Sequence, residues 1–164
     1  MKTLLLLRHA KSSWDDPKMR DFDRPLNKRG LKAAPLMGRY IRQRKVRPDL
    51  VLSSPAERAR QTTALAIEAA GIEVEVRFDE RIYEASTAQL MEVVSEIDDR
   101  ASEVLLVGHN FGMEQLLERL TGEVHRMPTA ALARIVLELD HWNLVRDRAG
   151  RLDWIVTPKE LVNE

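Results

Sequence analysis

The chain opens on an apolar run, Leu4 to Leu7, closed by the polar pair Arg8-His9. Successive leucines leave no polar face, so residues 3–9 read as a short strand buried on both sides, the signature of a parallel sheet. Residues 12–25 are polar, carry two prolines and read as a loop. Beyond them Leu31, Ala34, Met37 and Ile41 recur at helical spacing. They predict a helix from an Asn27 cap to about Arg44, with Pro35 a possible point of kinking. Leu50–Ser53 is a second short apolar strand. Ser54-Pro55 follows, a capping hydroxyl and then proline at the first helical position, and predicts a helix to about Ala70 that stops at Gly71.

The second half repeats this alternation. Residues 73–78 alternate charged and apolar side chains, as a half-buried strand does. Thr87 is the expected cap of a helix through Leu90, Val93, Val94 and Ile97. Glu103–Gly108 is a third apolar strand, followed by His109-Asn110 and a helix over residues 111–120 ended near Gly122. Residues 133–139 and 151–157 complete the strands, with one helical turn at 140–145 between them. Strands alternating with helices predict an α/β protein, a three-layer α/β/α sandwich around a mostly parallel central sheet. No repeat, low-complexity linker or shift of composition divides it, so one domain over residues 1–164 is expected.

Composition narrows the chemistry. Lys+Arg and Asp+Glu both number 26 in 164 residues, for zero net charge, so the chain lacks the basic excess of a nucleic-acid binder. There is no cysteine, which removes disulfides, thiol catalysis and cysteine-ligated zinc. The opening apolar run is too short for a signal peptide or a membrane span, and a cytoplasmic protein without membrane contact is expected. Neither G-x-x-x-x-G-K-[ST] nor G-x-G-x-x-G occurs, so a nucleotide fingerprint is missing.

Three segments share one design: LLLLRHA, VLSSPAERARQT and VLLVGHN each run from an apolar strand into polar, phosphate-competent residues. Ligands of α/β sheets gather outside the carboxyl ends of the strands. Neighbouring parallel strands would therefore bring Arg8, His9, Arg58 and His109 to one edge. Guanidinium forks match phosphate oxygens, and a neutral imidazole between them can attack phosphorus. A second, cationic imidazole can stabilise an equatorial oxygen, and a nearby carboxylic acid can protonate the leaving group. Each part has an ordinary structural reading on its own: a strand-end histidine, a surface ion pair, a helix cap. The combination at one edge points to phosphoryl transfer. His9 is then neutral and His109 cationic, which predicts activity changing with pH around neutrality.

These residues resemble the histidine phosphatase superfamily. LLLRHAKSSWDD is similar to its opening Arg-His-Gly signature, SSPAERARQT to Ser-Pro-x-x-Arg-Ala-x-x-Thr, and LVGHN to its Gly-His step. The likeness extends to LNKRG at residues 26–30 and PTAALA from Pro128, and the short chain resembles the SixA-type phosphohistidine phosphatase branch. The resemblance implies a phosphoglycerate mutase-like fold, His9 as the phosphorylated nucleophile, and Arg8, Arg58 and His109 as the phosphate pocket. Arg60 lies off the signature arginine and is read as a solvated helix residue. Larger members carry an acidic residue after the third strand, and RIYEAS places Glu84 near that position; its alternative is a surface carboxylate. Ala10 replaces the family's glycine and is expected in an ordinary conformation. Asp15 stands where mutases carry asparagine, which speaks against a mutase. Ser12 and Lys11 are further candidates for contact with the leaving group or a protein partner.

The resulting expectation is a metal-independent phosphatase without cofactors, working through phospho-His9 on a phosphorylated substrate in signal transduction. Few insertions imply an open pocket, suited to a phosphohistidine-bearing protein domain. The alternatives are a small-molecule phosphomonoesterase of the same superfamily and a non-catalytic phosphate- or phosphohistidine-binding module. Metal-dependent hydrolysis with His9 and His109 beside Asp15 or Asp16 lacks a close His-x-x-x-His or His-x-Asp pair. His125 and His141 are expected to be structural or exposed, Trp14 to line the site entrance, and Trp142 and Trp154 to pack. The sequence leaves the oligomeric state open.

Overall fold

The computed structural model describes residues 1–162, so the last two residues of the expected 1–164 span lie outside it. Six strands form one sheet: β1 (Lys2–Arg8), β2 (Leu50–Ser53), β3 (Glu75–Phe78), β4 (Glu103–Gly108), β5 (Leu132–Leu137) and β6 (Gly150–Val156). Their order across the sheet is β3-β2-β4-β1-β5-β6. The first four are mutually parallel, and β5 runs against both β1 and β6. Among the described residues five helices accompany them: α1 (Lys28–Gln43), α2 (Glu57–Ala70), α3 (Thr87–Ser95), α4 (Gly112–Thr121) and α5 (Pro158–Val162). The mostly parallel α/β layering expected from the alternation of elements is what forms.

The leucine run of β1 explains the layering. Leu4 and Leu6 face a core shared with Leu90 and Val94 of α3 and Leu116 and Leu120 of α4. Leu5 and Leu7 face a second core with Met37 and Ile41 of α1 and Ala59 and Ala66 of α2. Alternate side chains of a strand point to opposite faces, so four leucines in a row fill both layers at once. Each fully buried leucine contributes about 2 kcal/mol of transfer free energy. Trp142 is fully buried in the first core, and Trp154 meets Tyr40 edge to face in the second, as packing residues should.

Helix ends depart from the sequence reading where side chains find other partners. Asn27 caps α1 as expected, its side chain accepting the Gly30 N–H at 2.9 Å. Ser54 does not cap α2: the helix starts at Glu57 behind Ala56, and the Ser54 hydroxyl is drawn into the sheet edge described below. Ser86, not Thr87, caps α3, in a reciprocal capping box with Gln89. The polar stretch read as a loop holds a 3-10 turn at Asp21–Asp23, and a second such turn spans Glu80–Ile82. Gly30 has a steric reason: a Cβ there would lie 2.2 Å from the Lys11 carbonyl oxygen, so only glycine lets α1 start against that loop.

Candidate active site

Strand register assembles the site. In the β1–β4 ladder Arg8 pairs with Gly108, and in β2–β4 Ser53 pairs with Val107. The next residues continue the ladder, with the His9 N–H donating to the Gly108 carbonyl at 3.0 Å and the Ser54 N–H to Val107 at 3.0 Å. His9, His109 and Ser54 therefore leave three adjacent parallel strands at one edge. α2 brings Arg58 to the same place. The His9 and His109 ring centroids are 5.0 Å apart, and Tyr83 meets His109 edge to face at 5.5 Å. The four residues expected to converge do converge.

Hydrogen bonds fix both imidazoles. His9 is 8% exposed, and its Nδ1–H donates to the Ala10 carbonyl at 2.7 Å. That bond sets the tautomer and leaves the Nε2 lone pair unprotonated. Ser54 Oγ accepts from the Ala56 N–H at 3.2 Å and shares a 2.7 Å hydrogen bond with His109 Nε2. A hydroxyl has one donor and two acceptor sites, so beside the Ala56 N–H it either donates to Nε2, leaving the His109 proton on Nδ1, or accepts from Nε2–H. Ala10 is buried, lies outside the left-handed region and donates its N–H to Thr62 Oγ1 at 2.9 Å, so alanine replaces glycine without strain.

Arg8 donates to the Met127 carbonyl at 3.0 Å. Glu114 braces that loop, accepting the Met127 N–H at 3.1 Å and the Asn110 side-chain N–H at 2.9 Å. Arg58 is held from the opposite side by Asp21, donating to its main-chain oxygen at 2.7 Å and its carboxylate at 3.0 Å. The same carboxylate accepts from the Tyr83 hydroxyl at 2.7 Å and from Arg24 at 3.0 Å. Three buried side-chain nitrogens nevertheless lack a partner among the described residues: Arg8 Nε, Arg58 Nε and His109 Nδ1. A buried donor left unpaired costs about 1–3 kcal/mol, and two such guanidinium N–H groups beside the His9–His109 pair form a place where an anion can be held.

Burial, reinforced by Arg58 and Arg8, pushes the His9 pKa down to about 4 against the pull of the Ala10 carbonyl. Burial, His9 and Arg58 take His109 to about 3. The expectation of a cationic His109 beside a neutral His9, with ionisation near neutrality, is thus corrected. Both rings are held neutral, first because burial removes the water that would solvate a charge and then because the guanidinium groups stand beside them. His109 still offers an N–H. Burial opposes ionisation of Asp21, but Tyr83, Arg58 and Arg24 outweigh it and hold the carboxyl at about 2.

The remaining expected residues stand further out. Ser12 is buried but accepts from Arg24 at 2.6 Å, so it anchors the loop. Lys11 is exposed and lines a neighbouring groove. Glu84 is exposed with φ 53°, next to Tyr83, and makes no hydrogen bond to the pocket residues among those described. Trp14 is 74% exposed with Arg24 stacked 3.5 Å from its ring centre. His125 and His141 pair with Glu123 and Asp99 outside the pocket. Among the described residues no three His, Asp or Glu side chains gather as a metal would require. No helix there is long and apolar enough to cross a membrane. Sequence reasoning missed Asp21, Arg24, Tyr83 and Ser54 as site residues; only the closely spaced charges of DFDR hinted at the first two.

The sequence model of the histidine phosphatase superfamily (branch 1) matches residues 4–90, which span β1, Arg58 and Glu84. The chain belongs to the histidine phosphatase superfamily. A chloroplastic protein of Arabidopsis thaliana is 32% identical over 162 residues, covering 93% of this chain and 74% of its own length. Proteins of Mycobacterium tuberculosis are 40% identical over 103 residues, 63% of this chain, and the match spans only 62% of their length. Among solved structures, a candidate phosphohistidine phosphatase SixA from Agrobacterium tumefaciens superposes with a TM-score of 0.83 at 34% identity, over 96% of this chain and 98% of that one. The protein histidine phosphatase SixA complexed with tungstate shares the fold, with a TM-score of 0.79 at 24% identity over 97% and 99% of the two chains. This superfamily fold, in the SixA-type branch, is the one the three strand-end signatures resemble.

Proposed function

We propose that the chain is a phosphatase that passes a phosphoryl group through His9, and that its substrate is phosphohistidine on a protein. The observation carrying this reading is the set of unpartnered buried nitrogens, Arg8 Nε, Arg58 Nε and His109 Nδ1, beside a histidine whose Nε2 is unprotonated. In the first step the Nε2 lone pair of His9 attacks phosphorus, and the bond from phosphorus to the leaving group breaks. The two guanidinium groups and the His109 N–H hold the three equatorial oxygens as charge spreads over them. In the second step water attacks the same phosphorus, the bond to Nε2 breaks, and orthophosphate leaves with His9 restored.

An oxygen leaving group needs a proton, for which Glu84 is the candidate donor. Its left-handed backbone is the kind of outlier that collects at functional sites. Its exposure and lack of pocket contacts suit a minor role. A phosphohistidine whose other ring nitrogen carries a proton releases neutral imidazole, a far weaker base than an alkoxide, so it depends far less on an acid from the enzyme, and this favours phosphohistidine over phosphomonoesters. The test is incubation with a phosphoramidate donor, an alkaline quench, and mapping of the labelled residue. Label on His9 and loss of turnover in His9→Ala are expected. Turnover that survives in His9→Ala would end the covalent route.

A further inference from the structure

A groove of about 680 Å³ runs along the same edge of the sheet, opening at Lys11, two residues beyond His9. Its walls are tied to the catalytic strand ends. On one side the Lys11 carbonyl accepts the Asn27 N–H at 3.0 Å, and α1 begins pressed against it through Gly30. On the other, Pro128 and Thr129 stand between Met127, which holds Arg8, and Ala130, whose N–H donates to the His9 carbonyl at 3.0 Å. α5 closes the far wall.

The groove is lopsided in charge. Lys11, Arg29, Lys32 and Lys159 line it, and no carboxylate among the described residues does. None of these four cations makes an ion pair among the described residues. In a chain of zero net charge this is a local excess that something outside the molecule can neutralise. Between the cations lie Leu36, Pro128 and Val162, the last 72% exposed. The cations are spread out: Arg29 and Lys32 are one helical turn apart on α1, Lys159 stands on the opposite wall, and Lys11 sits at the end nearest His9. A second phosphate site would gather forked donors at one point, as Arg8 and Arg58 do. Spaced cations over an apolar floor fit carboxylates spaced along a polypeptide that also buries an aliphatic side chain.

We propose that this groove docks an acidic segment of the phosphoprotein substrate, carrying an aliphatic residue among its carboxylates, and so presents the phosphoryl group to His9. The proposal rests on the phosphatase reading and names the partner surface that reading lacks. Two phosphohistidine peptides, identical except that one has glutamates and a leucine flanking the phosphohistidine and the other lysines and a leucine, test it. The acidic peptide should show a KM lower by about tenfold, since several rim pairs each contribute modestly. The double variant Arg29→Glu with Lys32→Glu should abolish or invert that preference. It should leave kcat, and kcat/KM for p-nitrophenyl phosphate, within about twofold, because neither residue belongs to the phosphate pocket. Lys159→Glu, from the other wall, should act the same way. Equal KM values for the two peptides, or an equal loss on p-nitrophenyl phosphate, would overturn the docking role and leave the phosphatase reading standing. Binding of the unphosphorylated acidic peptide, followed by fluorescence anisotropy, is independent of catalysis. Charge-dependent binding with no turnover of any substrate supports the groove and defeats the phosphatase reading, whereas binding unchanged by the charge reversals defeats the groove.

Discussion

Asp21→Asn probes the device that holds the pocket in shape. The carboxylate bonds Arg58, Arg24 and Tyr83 at once, and its side chain is 44% exposed. Its carboxyl is depressed from 3.8 to about 2. Unscreened, such a depression corresponds to roughly 2.5 kcal/mol; solvent screening of a group this exposed reduces the expectation to about 1 kcal/mol. A depressed carboxyl stabilises the fold above its unfolded value, and that contribution is lost as pH falls through the folded value. The variant should therefore melt about 2–4 °C below the wild type at pH 7, with the gap shrinking below pH 4 and closing toward pH 2. Asparagine keeps an acceptor for Arg58 but removes a negative charge beside the proposed phosphate dianion. Inhibition by orthophosphate should accordingly tighten, by roughly fivefold for about 1 kcal/mol of relieved repulsion in a half-exposed site. Thermal melts at pH 7, 5 and 3, with phosphate inhibition measured alongside, give both readings. A melting gap that does not depend on pH, or weaker phosphate inhibition in the variant, would refute the reasoning: Asp21 would then act by shape alone.

Arg58→Lys should lower kcat/KM about a hundredfold or more, because lysine loses both the fork and the geometry of the Asp21 clamp; recovery to near wild-type turnover would mean that charge alone suffices. The acid limb of kcat/KM, corrected for ionisation of the substrate, should fall near pH 4, where His9 protonates, and a limb near 6.5 would contradict the burial argument. Stability should also decline as pH drops from the ordinary histidine value toward 4, since an unfolded His9 takes up a proton that the buried ring refuses; this is worth on the order of 3 kcal/mol and is measurable by urea titration. Gly30→Ala should cost about 1–3 kcal/mol and lower kcat together with stability, because the new methyl group meets the backbone of Lys11, two residues from His9.

The parts legible in the sequence are those whose signal is local. Leu4 to Leu7, Leu50–Ser53 and Glu103–Gly108 announce buried strands by composition alone, and the polar residues that end them announce the edge. Parallel pairing in register then does the rest: once Arg8 lies opposite Gly108, His9 and His109 have to be neighbours. Asp21 and Tyr83 carried no such signal. Their contact spans 62 residues of sequence, between two segments whose own pattern says only loop, and that of Asp21 with Arg58 spans 37, from such a loop to a helix. The misassigned cap has the same origin. Ser54 has the local chemistry of a helix cap, but its hydroxyl bonds a histidine 55 residues away.

The charge of His109 was misjudged for a related reason. A sequence shows which cations are present but not how much water they keep. Burial is the larger cause, and half-buried Arg8 and buried Arg58 beside the two imidazoles add to it, so both rings are held neutral. The arginines that the proposed mechanism uses to bind phosphate thus also help burial keep His9 unprotonated well below the ordinary histidine range. The clamp on Arg58 completes the logic. Asp21 neutralises the outer face of one guanidinium through its terminal nitrogens and leaves Nε without a partner. Asp21 thereby offsets part of the cost of burying Arg58 and leaves its Nε–H for the phosphoryl group of the proposed mechanism.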